Sequence, residues 1–227
     1  MRYPGKELEI FNIAKVFQRY IFFFIKKYLN GNICEIGAGI GSFTDHYVNN
    51  GNKILVSDLD PLNFEVLKKK YTHHKNLTVV KGKIVNINHQ FDTIIYLNVL
   101  EHIKYDVDEI KTAMEKLNPN GHLIFLVPAH QKLFTKFDKE IGHFRRYHIN
   151  FFKTNKPSKL IIKKLIYLDL VGYVLYFLNK FFFKEEVYPS KTKVMLWDKL
   201  FIPITIVLDF FFNYRFGKNI LCVYKKK

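Results

Sequence analysis

The stretch Asn32–Tyr47, NICEIGAGIGSFTDHY, sets Gly37, Gly39 and Gly41 within five residues, between an apolar run and an amphipathic one. Asn32–Ile36 reads as a short strand, and a helix is predicted from about Ser42. In an α/β sheet the loop after the first strand lies at the carboxyl edge, where ligands bind near the switch in strand order. Glycine there permits positive φ and removes the Cβ that would keep a ligand off the main chain. Two common occupants are excluded by the neighbours. A triphosphate loop needs Lys then Ser or Thr after its last glycine, and Ser42-Phe43 follows instead. A dinucleotide fingerprint reads G-x-G-x-x-G, whereas this loop is G-x-G-x-G with Glu35 two residues ahead, a carboxylate that repels pyrophosphate but suits an ammonium or sulfonium ligand.

Outward from the loop, strand-like and helix-like segments alternate. An amphipathic Leu8–Tyr28 precedes it, and Lys53–Ser57, a helix near Leu62–Tyr71, Leu77–Lys81, Thr93–Leu97, a helix at Asp106–Leu117 and His122–Val127 follow, the last after the turn Asn118–Gly121 and ended by Pro128. Short apolar strands separated by helices imply a parallel sheet covered on both faces. Asp58 ends the second strand, 21 residues after Gly37, the place for a carboxylate that accepts bonds from both ribose hydroxyls. Leu59 beside it could pack on a base. Asp60 competes for that role, but Pro61 after it marks a helix start, which makes Asp60 a cap and leaves Asp58 at the strand end. An Asp in such a turn is often only a cap; its joint occurrence with the glycine loop favours ribose binding.

These residues, with Asn98-Val99-Leu100-Glu101-His102 after FDTIIYL, resemble the class I S-adenosylmethionine-dependent methyltransferases, and the likeness runs through Pro128. VPAHQKLFTKFDKEIGHFRRY and FGKNILCVYKKK resemble a bacterial and archaeal branch associated with surface glycan or glycolipid assembly. The resemblance implies a three-layer Rossmann-like α/β fold, with a mostly parallel seven-stranded sheet whose last strand is antiparallel, plus C-terminal amphipathic helices. It places Glu35, Gly37, Ala38, Gly39 and Gly41 on the methionine-binding loop, Asp58 and Leu59 on the nucleoside, Ile84 at the adenine through its backbone, and Asn98 and Val99 at the sulfonium pocket. Lys83 departs from the pattern, standing where many relatives carry the acidic partner of the adenine amino group.

Methyl transfer is an in-line displacement, and a base is needed when a hydroxyl acceptor must lose a proton. His102 is the first candidate and Glu101 the second; the structural reading has them simply beginning a helix. Asn98, Glu101 and His102 also resemble part of the E-x-x-E-H arrangement of metal-dependent relatives, with His130 as a conceivable further ligand. Asn98 replaces the first carboxylate of an oxygen-rich magnesium site, so no metal is expected. Acceptor binding is assigned to His130 and to the segment His143, Arg145, Arg146, Tyr147, because paired guanidinium groups hold phosphate or carboxylate well. The alternative there is pairing to Asp138 and Glu140.

The chain has 227 residues, a formal net charge of +16 and 48% hydrophobic residues, enough for one domain with a sizeable core. Residues 1–150 form the cofactor-binding core, and residues 151–227 supply the last strands and a helical lid or membrane-facing insertion. The charge implies an acidic partner, although a lysine-rich bias contributes. Cys34 and Cys222 lie far apart and MRYPGKELEI does not resemble a signal peptide, so a reducing cytoplasm is expected. Leu160–Phe183 and Val194–Phe212 are apolar but charge-interrupted, too short to cross a bilayer and suited to lying on one. Phe181–Lys184 and Asp209–Phe212, with basic flanks, form the candidate membrane-facing patch. The expected reaction is O-methylation of a sugar, glycolipid or other anionic small-molecule or lipid-linked acceptor. RNA methylation is the rival, less favoured because no N-L-P-Y run follows Asn98, and a non-catalytic membrane-associated scaffold is the third reading.

Overall fold

A computed structural model describes residues 6–182 and 188–227. Two helices, α1 (Lys6–Phe11) and α2 (Lys15–Ile25), precede β1 (Asn32–Ile36). There follow β2 (Lys53–Ser57), α3 (Pro61–Lys70), β3 (Leu77–Val80), β4 (Phe91–Leu97), α4 (Asp106–Glu115) and β5 (Leu117–Pro128). The remainder comprises α5 (Lys136–Glu140), α6 (Ile149–Thr154), β6 (Leu160–Leu168), α7 (Leu170–Phe182), α8 (Lys191–Leu196), a π-helical turn (Trp197–Phe201), α9 (Ile202–Phe211) and β7 (Asn219–Lys226).

The seven strands lie in the order β3-β2-β1-β4-β5-β7-β6. All neighbours pair in parallel except β7, which runs antiparallel to both β5 and β6. The strands are apolar on both faces because helices cover both. Ile33, Val56, Ile95, Leu126 and Leu221 pack with Phe17, Ile21 and Ile25 of α2 and with Ile202 of α9. Their alternate neighbours Cys34, Leu55, Ile94, Phe125 and Cys222 pack with Ile110 of α4 and Phe152 of α6. This is the three-layer architecture expected from the sequence, and it brings the carboxyl ends of β1, β2, β4 and β5 to one edge.

The expected turn Asn118–Gly121 lies within β5, and the segment after the glycine loop differs more. The helix expected from Ser42 is only a 3-10 turn, Thr44–His46. Thr44 and Tyr47, three residues apart, both turn their hydroxyls inward to Glu35, and that inward pull holds the segment in tight turns.

The C-terminal helices are polar inward and apolar outward. Asp198 accepts from the backbone N–H groups of Val16 (3.0 Å) and Phe17 (2.8 Å), closing the start of α2. Asp209 does the same for α7, accepting from Asp169 N–H (2.8 Å) and Leu170 N–H (3.0 Å), and also from the Tyr20 hydroxyl (2.8 Å). Ile204, Ile206, Val207, Phe210, Phe211 and Phe212 face outward, with Phe210 69% and Phe211 75% exposed. Among the described residues no helix is long and apolar enough to cross a membrane. Of the other segment of the candidate patch, Phe181–Lys184, Phe183 and Lys184 lie outside the described residues.

Candidate active site

The glycine loop leaves β1 with Gly37, Gly39 and Gly41 all at positive φ (67°, 58° and 77°). A Cβ on Gly37 would stand 2.6 Å from Val99 Cγ2, so β1 and the chain after β4 can approach only because this residue is glycine. Ala38 N–H donates to the Ser57 carbonyl at 3.0 Å, tying the loop to the end of β2. There Asp58 accepts from Gly39 N–H (2.8 Å), from Asp60 N–H (2.9 Å) and from the Asn63 amide (3.4 Å). Burial nonetheless pushes the Asp58 carboxyl up from its ordinary range, against those bonds. Asp60 caps α3 through Leu62 N–H and Asn63 N–H, which leaves Asp58 as the carboxylate of the loop. Leu59 is exposed beside it, whereas the Ile84 side chain is fully buried.

Glu35 differs from the expected position in the cleft. It is buried beneath the loop, where Thr44 (2.6 Å) and Tyr47 hold it. Burial outweighs those two bonds and pushes its pKa up to about 7. Its work is to anchor the loop from below. Above the loop, the Leu8 side chain lies 3.2 Å from where a Gly39 Cβ would be, and Ser42 Oγ donates to Asn12 Oδ1 at 2.9 Å, so the N-terminal segment covers the loop.

The second part of the site follows β4 and β5. Asn98, exposed and at φ 56°, and His130, at φ 64°, turn the chain sharply where the two strands end. Leu100–His102 is a 3-10 turn, not the start of an α-helix, and Phe144 N–H donates to the Glu101 carbonyl at 2.8 Å, clamping the 142–147 segment against it. That clamp brings His143 to Glu101, Nε2 to Oε1 3.7 Å, and sets its ring against His102, 4.6 Å between centroids. Glu101 is fully buried and, its own backbone N–H aside, its carboxylate oxygens have no hydrogen-bond partner among the described residues. Burial pushes its pKa up to about 7, and burial with the neighbouring His143 pushes that of His102 down to about 3.

The acceptor fork expected from the two arginines is not formed. Arg146 is buried and donates through Nε and Nη2 to Asp138 at 2.8 and 2.9 Å, with its guanidinium 4.5 Å from the Tyr176 ring of α7. Arg145 donates to Asp106 (2.5 Å) and to the Lys104 carbonyl (2.9 Å). Both are therefore paired with protein carboxylates, Arg146 buried and Arg145 part-exposed, because a guanidinium next to a sheltered carboxylate pairs with it. Tyr147 is buried, donating to Asp106 (2.9 Å) and the Leu100 carbonyl (3.0 Å). His130 sits apart, its Nε2 3.0 Å from the Gly217 carbonyl and its ring stacked 5.1 Å from Tyr167. Asp138 is the central residue here and was foreseen only as an ion-pair partner. Burial pushes its pKa up, but bonds from His143 and Arg146 outweigh this and hold it well below the carboxylate range. Its one local signal is the spacing Thr135-x-x-Asp138, a capping box that the structure forms.

Residues 10–156 match the family described as "Methyltransferase domain". The chain belongs to that family. It is 30% identical over 102 residues to the mitochondrial ubiquinone biosynthesis O-methyltransferase of Schizosaccharomyces pombe, covering 40% of this chain and 36% of the relative. A probable ribosomal RNA small subunit methyltransferase A of Methanococcoides burtonii is 30% identical over 56 residues, 25% of this chain and 21% of the relative. The chain thus matches well under half the length of either. Among solved structures, coclaurine N-methyltransferase shares the fold with a TM-score of 0.64 at 12% identity, covering 92% of this chain and 72% of that one. In this methyltransferase domain the fit to S-adenosylmethionine rests on the chain itself. Three glycines supply main chain without Cβ, and Asp58 holds lone pairs at the end of β2, bonded to the same loop through Gly39.

Proposed function

We propose that the protein is an S-adenosylmethionine-dependent methyltransferase that methylates an oxygen of a sugar, glycolipid or related small or lipid-linked acceptor. The observation that carries the cofactor half is the Asp58–Gly39 bond, which joins the ribose carboxylate to the glycine main chain at one sheet edge. S-adenosylmethionine supplies a methyl group on a sulfonium that needs no activation by the enzyme. Gly37–Gly41 would lie along its methionine half and Asp58 would take the ribose hydroxyls. Leu59 and the Ile84 backbone would border the adenine, and Asn98 and Val99 would wall the sulfonium. Leu8 now covers Gly39, so ligand at that position displaces it.

Around the acceptor, Glu101 and His102 would be the groups to hold or move a proton, next to the Arg146–Asp138 pair that Tyr176 of α7 contacts. Titration calorimetry with S-adenosylhomocysteine tests the cofactor half, and absence of heat from the wild type refutes it. For the acceptor half, mass spectrometry of lipid-linked glycans with and without the gene should show one methyl group lost.

A membrane-supplied acceptor is supported by the outward face of α9. The groove between α2 and α9, about 560 Å³, is lined by Phe23, Phe24, Val207 and Phe210. Exposed charge on α2, the turn after it, α8 and the chain around α9 is all basic, including Lys15, Arg19, Lys26, Lys199 and Arg215, because the acids Asp198 and Asp209 point inward. Such a face suits an anionic leaflet. Flotation with anionic liposomes at low salt should carry the protein upward, and Phe210→Glu should abolish this. The rival acceptor is RNA, favoured by the charge and by the ribosomal RNA relative; steeply salt-dependent RNA binding would support it.

A further inference from the structure

Against the expectation of no metal drawn from Asn98, we propose that Glu101, His102 and His143, a set without Asn98, form a binding site for one divalent cation of the zinc type. One carboxylate oxygen of Glu101 and one ring nitrogen from each histidine lie within 4.8 Å of one another. Ligand atoms around a common zinc, at bonds of about 2.0–2.2 Å, stand roughly 3–3.5 Å apart, so small side-chain rotations close the site. Glu101 makes the case specific. Its carboxylate is 0% exposed and, its own backbone N–H aside, has no hydrogen-bond partner among the described residues, a costly state for an ionised group unless a cation meets it. No basic side chain forms an ion pair with it among the described residues except His143, at 3.7 Å.

The surroundings hold the histidines as ligands are held. His143 Nδ1 is 2.8 Å from Asp138 Oδ1, which leaves Nε2 directed towards Glu101. Asp138 is fixed in turn by the two bonds from Arg146. A carboxylate that orients the far side of a ligating imidazole is the usual outer arrangement at protein metal sites. His102 is tied to the Gly142 backbone by a hydrogen bond. Two nitrogens and one oxygen favour zinc, manganese or iron over magnesium or calcium, which prefer all-oxygen shells.

The site lies two residues beyond Val99, the residue that touches Gly37. Resting on the methyltransferase reading above, the cation would take an acceptor hydroxyl or carboxylate oxygen as a further ligand. That gives the acceptor a chemical class: an oxygen ligand able to bind a metal, held beside the methionine loop.

The test uses the full chain, stripped with chelator and titrated with zinc alone by calorimetry, with metal per chain measured after dialysis. Cobalt(II) in place of zinc reports coordination through its visible absorption in the wild type, independent of any variant's folding. About one zinc per chain is expected, with affinity weakened at least about 10-fold in Glu101→Gln and in His143→Ala, and unchanged in His73→Ala, which removes an exposed histidine. The proposal falls if the wild type shows neither zinc heat nor cobalt absorption, which would leave Glu101 and His143 as a proton-sharing pair. It falls equally if Glu101→Gln and His143→Ala keep full zinc affinity. An S-adenosylhomocysteine titration of the same preparations reports separately on the methyltransferase reading.

Discussion

Two regions of the carboxyl edge, the glycine loop after β1 and the cluster after β4, handle buried carboxylates in opposite ways. At the loop, Glu35 is met by two hydroxyls and Asp58 by two N–H groups and an amide, so the acids are structural partners of the main chain they shape. At the cluster, Asp138 is held by His143 and Arg146, while Glu101, on the other side of the same imidazole, has only that ring and its own backbone N–H among the described residues. Glu35, enclosed and met by hydroxyls, maintains a shape; Asp58 adds to that the lone pairs its three bonds leave over, and Glu101, the least satisfied, keeps the most capacity to meet something else.

The largest effect expected from disturbing this contrast is at Arg146. Arg146→Ala removes the guanidinium from the buried Asp138 and leaves it the bonds from Thr135 and His143, and unfolding in denaturant should show a loss of about 3 kcal/mol, the low end for a broken buried pair. If stability is unchanged, Asp138 is not the fixed post of the cluster. Next is Asp58→Ala, which removes the acceptor for two ribose hydroxyls. S-adenosylhomocysteine affinity should fall by about 100-fold, from two charge-assisted bonds at the low end of about 1.5–3 kcal/mol each; an unaffected variant would mean that the ribose lies elsewhere.

A smaller effect concerns pH. Glu35 titrates at about 7 in the folded protein and in the ordinary range, lower, when unfolded. Between those values the unfolded chain has released a proton that the folded chain retains, so rising pH favours unfolding. The Glu35 contribution to thermal stability should therefore fall from about pH 5 to pH 7, read as the difference between wild type and Glu35→Gln, because the depressed His102 acts in the opposite sense over part of that range. Smallest is Leu8→Ala. Uncovering Gly39 should strengthen S-adenosylhomocysteine binding a few-fold, measured by calorimetry, and weaker binding would make Leu8 part of the ligand's wall.

The same contrast separates what could be read in the chain from what could not. The strand alternation, the glycine loop, Asp58 and the Asp60 cap are local patterns, in which residues close in sequence fix each other's conformation. Glu35 was legible as important but not in its direction, because its partners Thr44 and Tyr47 lie on the segment misread as a helix. The pairing of Arg146 with Asp138 and of Arg145 with Asp106 depends on how the 142–147 segment folds back under Glu101 and Asp106. No spacing rule announces that contact. The apolar C-terminal helices show the reverse difficulty: their periodicity was visible, but which side faced the protein was decided by Asp198 and Asp209 capping α2 and α7.

The threading of β7 between β5 and β6 sets an order of assembly. Strand β6 touches the sheet only through β7, so Leu160–Leu168 has no place to dock until the whole helical arm of α7 to α9 has doubled back and delivered Asn219–Lys226. On a ribosome, the five strands that carry the glycine loop and Asp58 can pair first, and the arm with its aromatic outer face is threaded home last. A nascent chain paused before that final step would present sticky rings and an open sheet border together, which makes the closing strand the natural point at which chaperones would need to intervene.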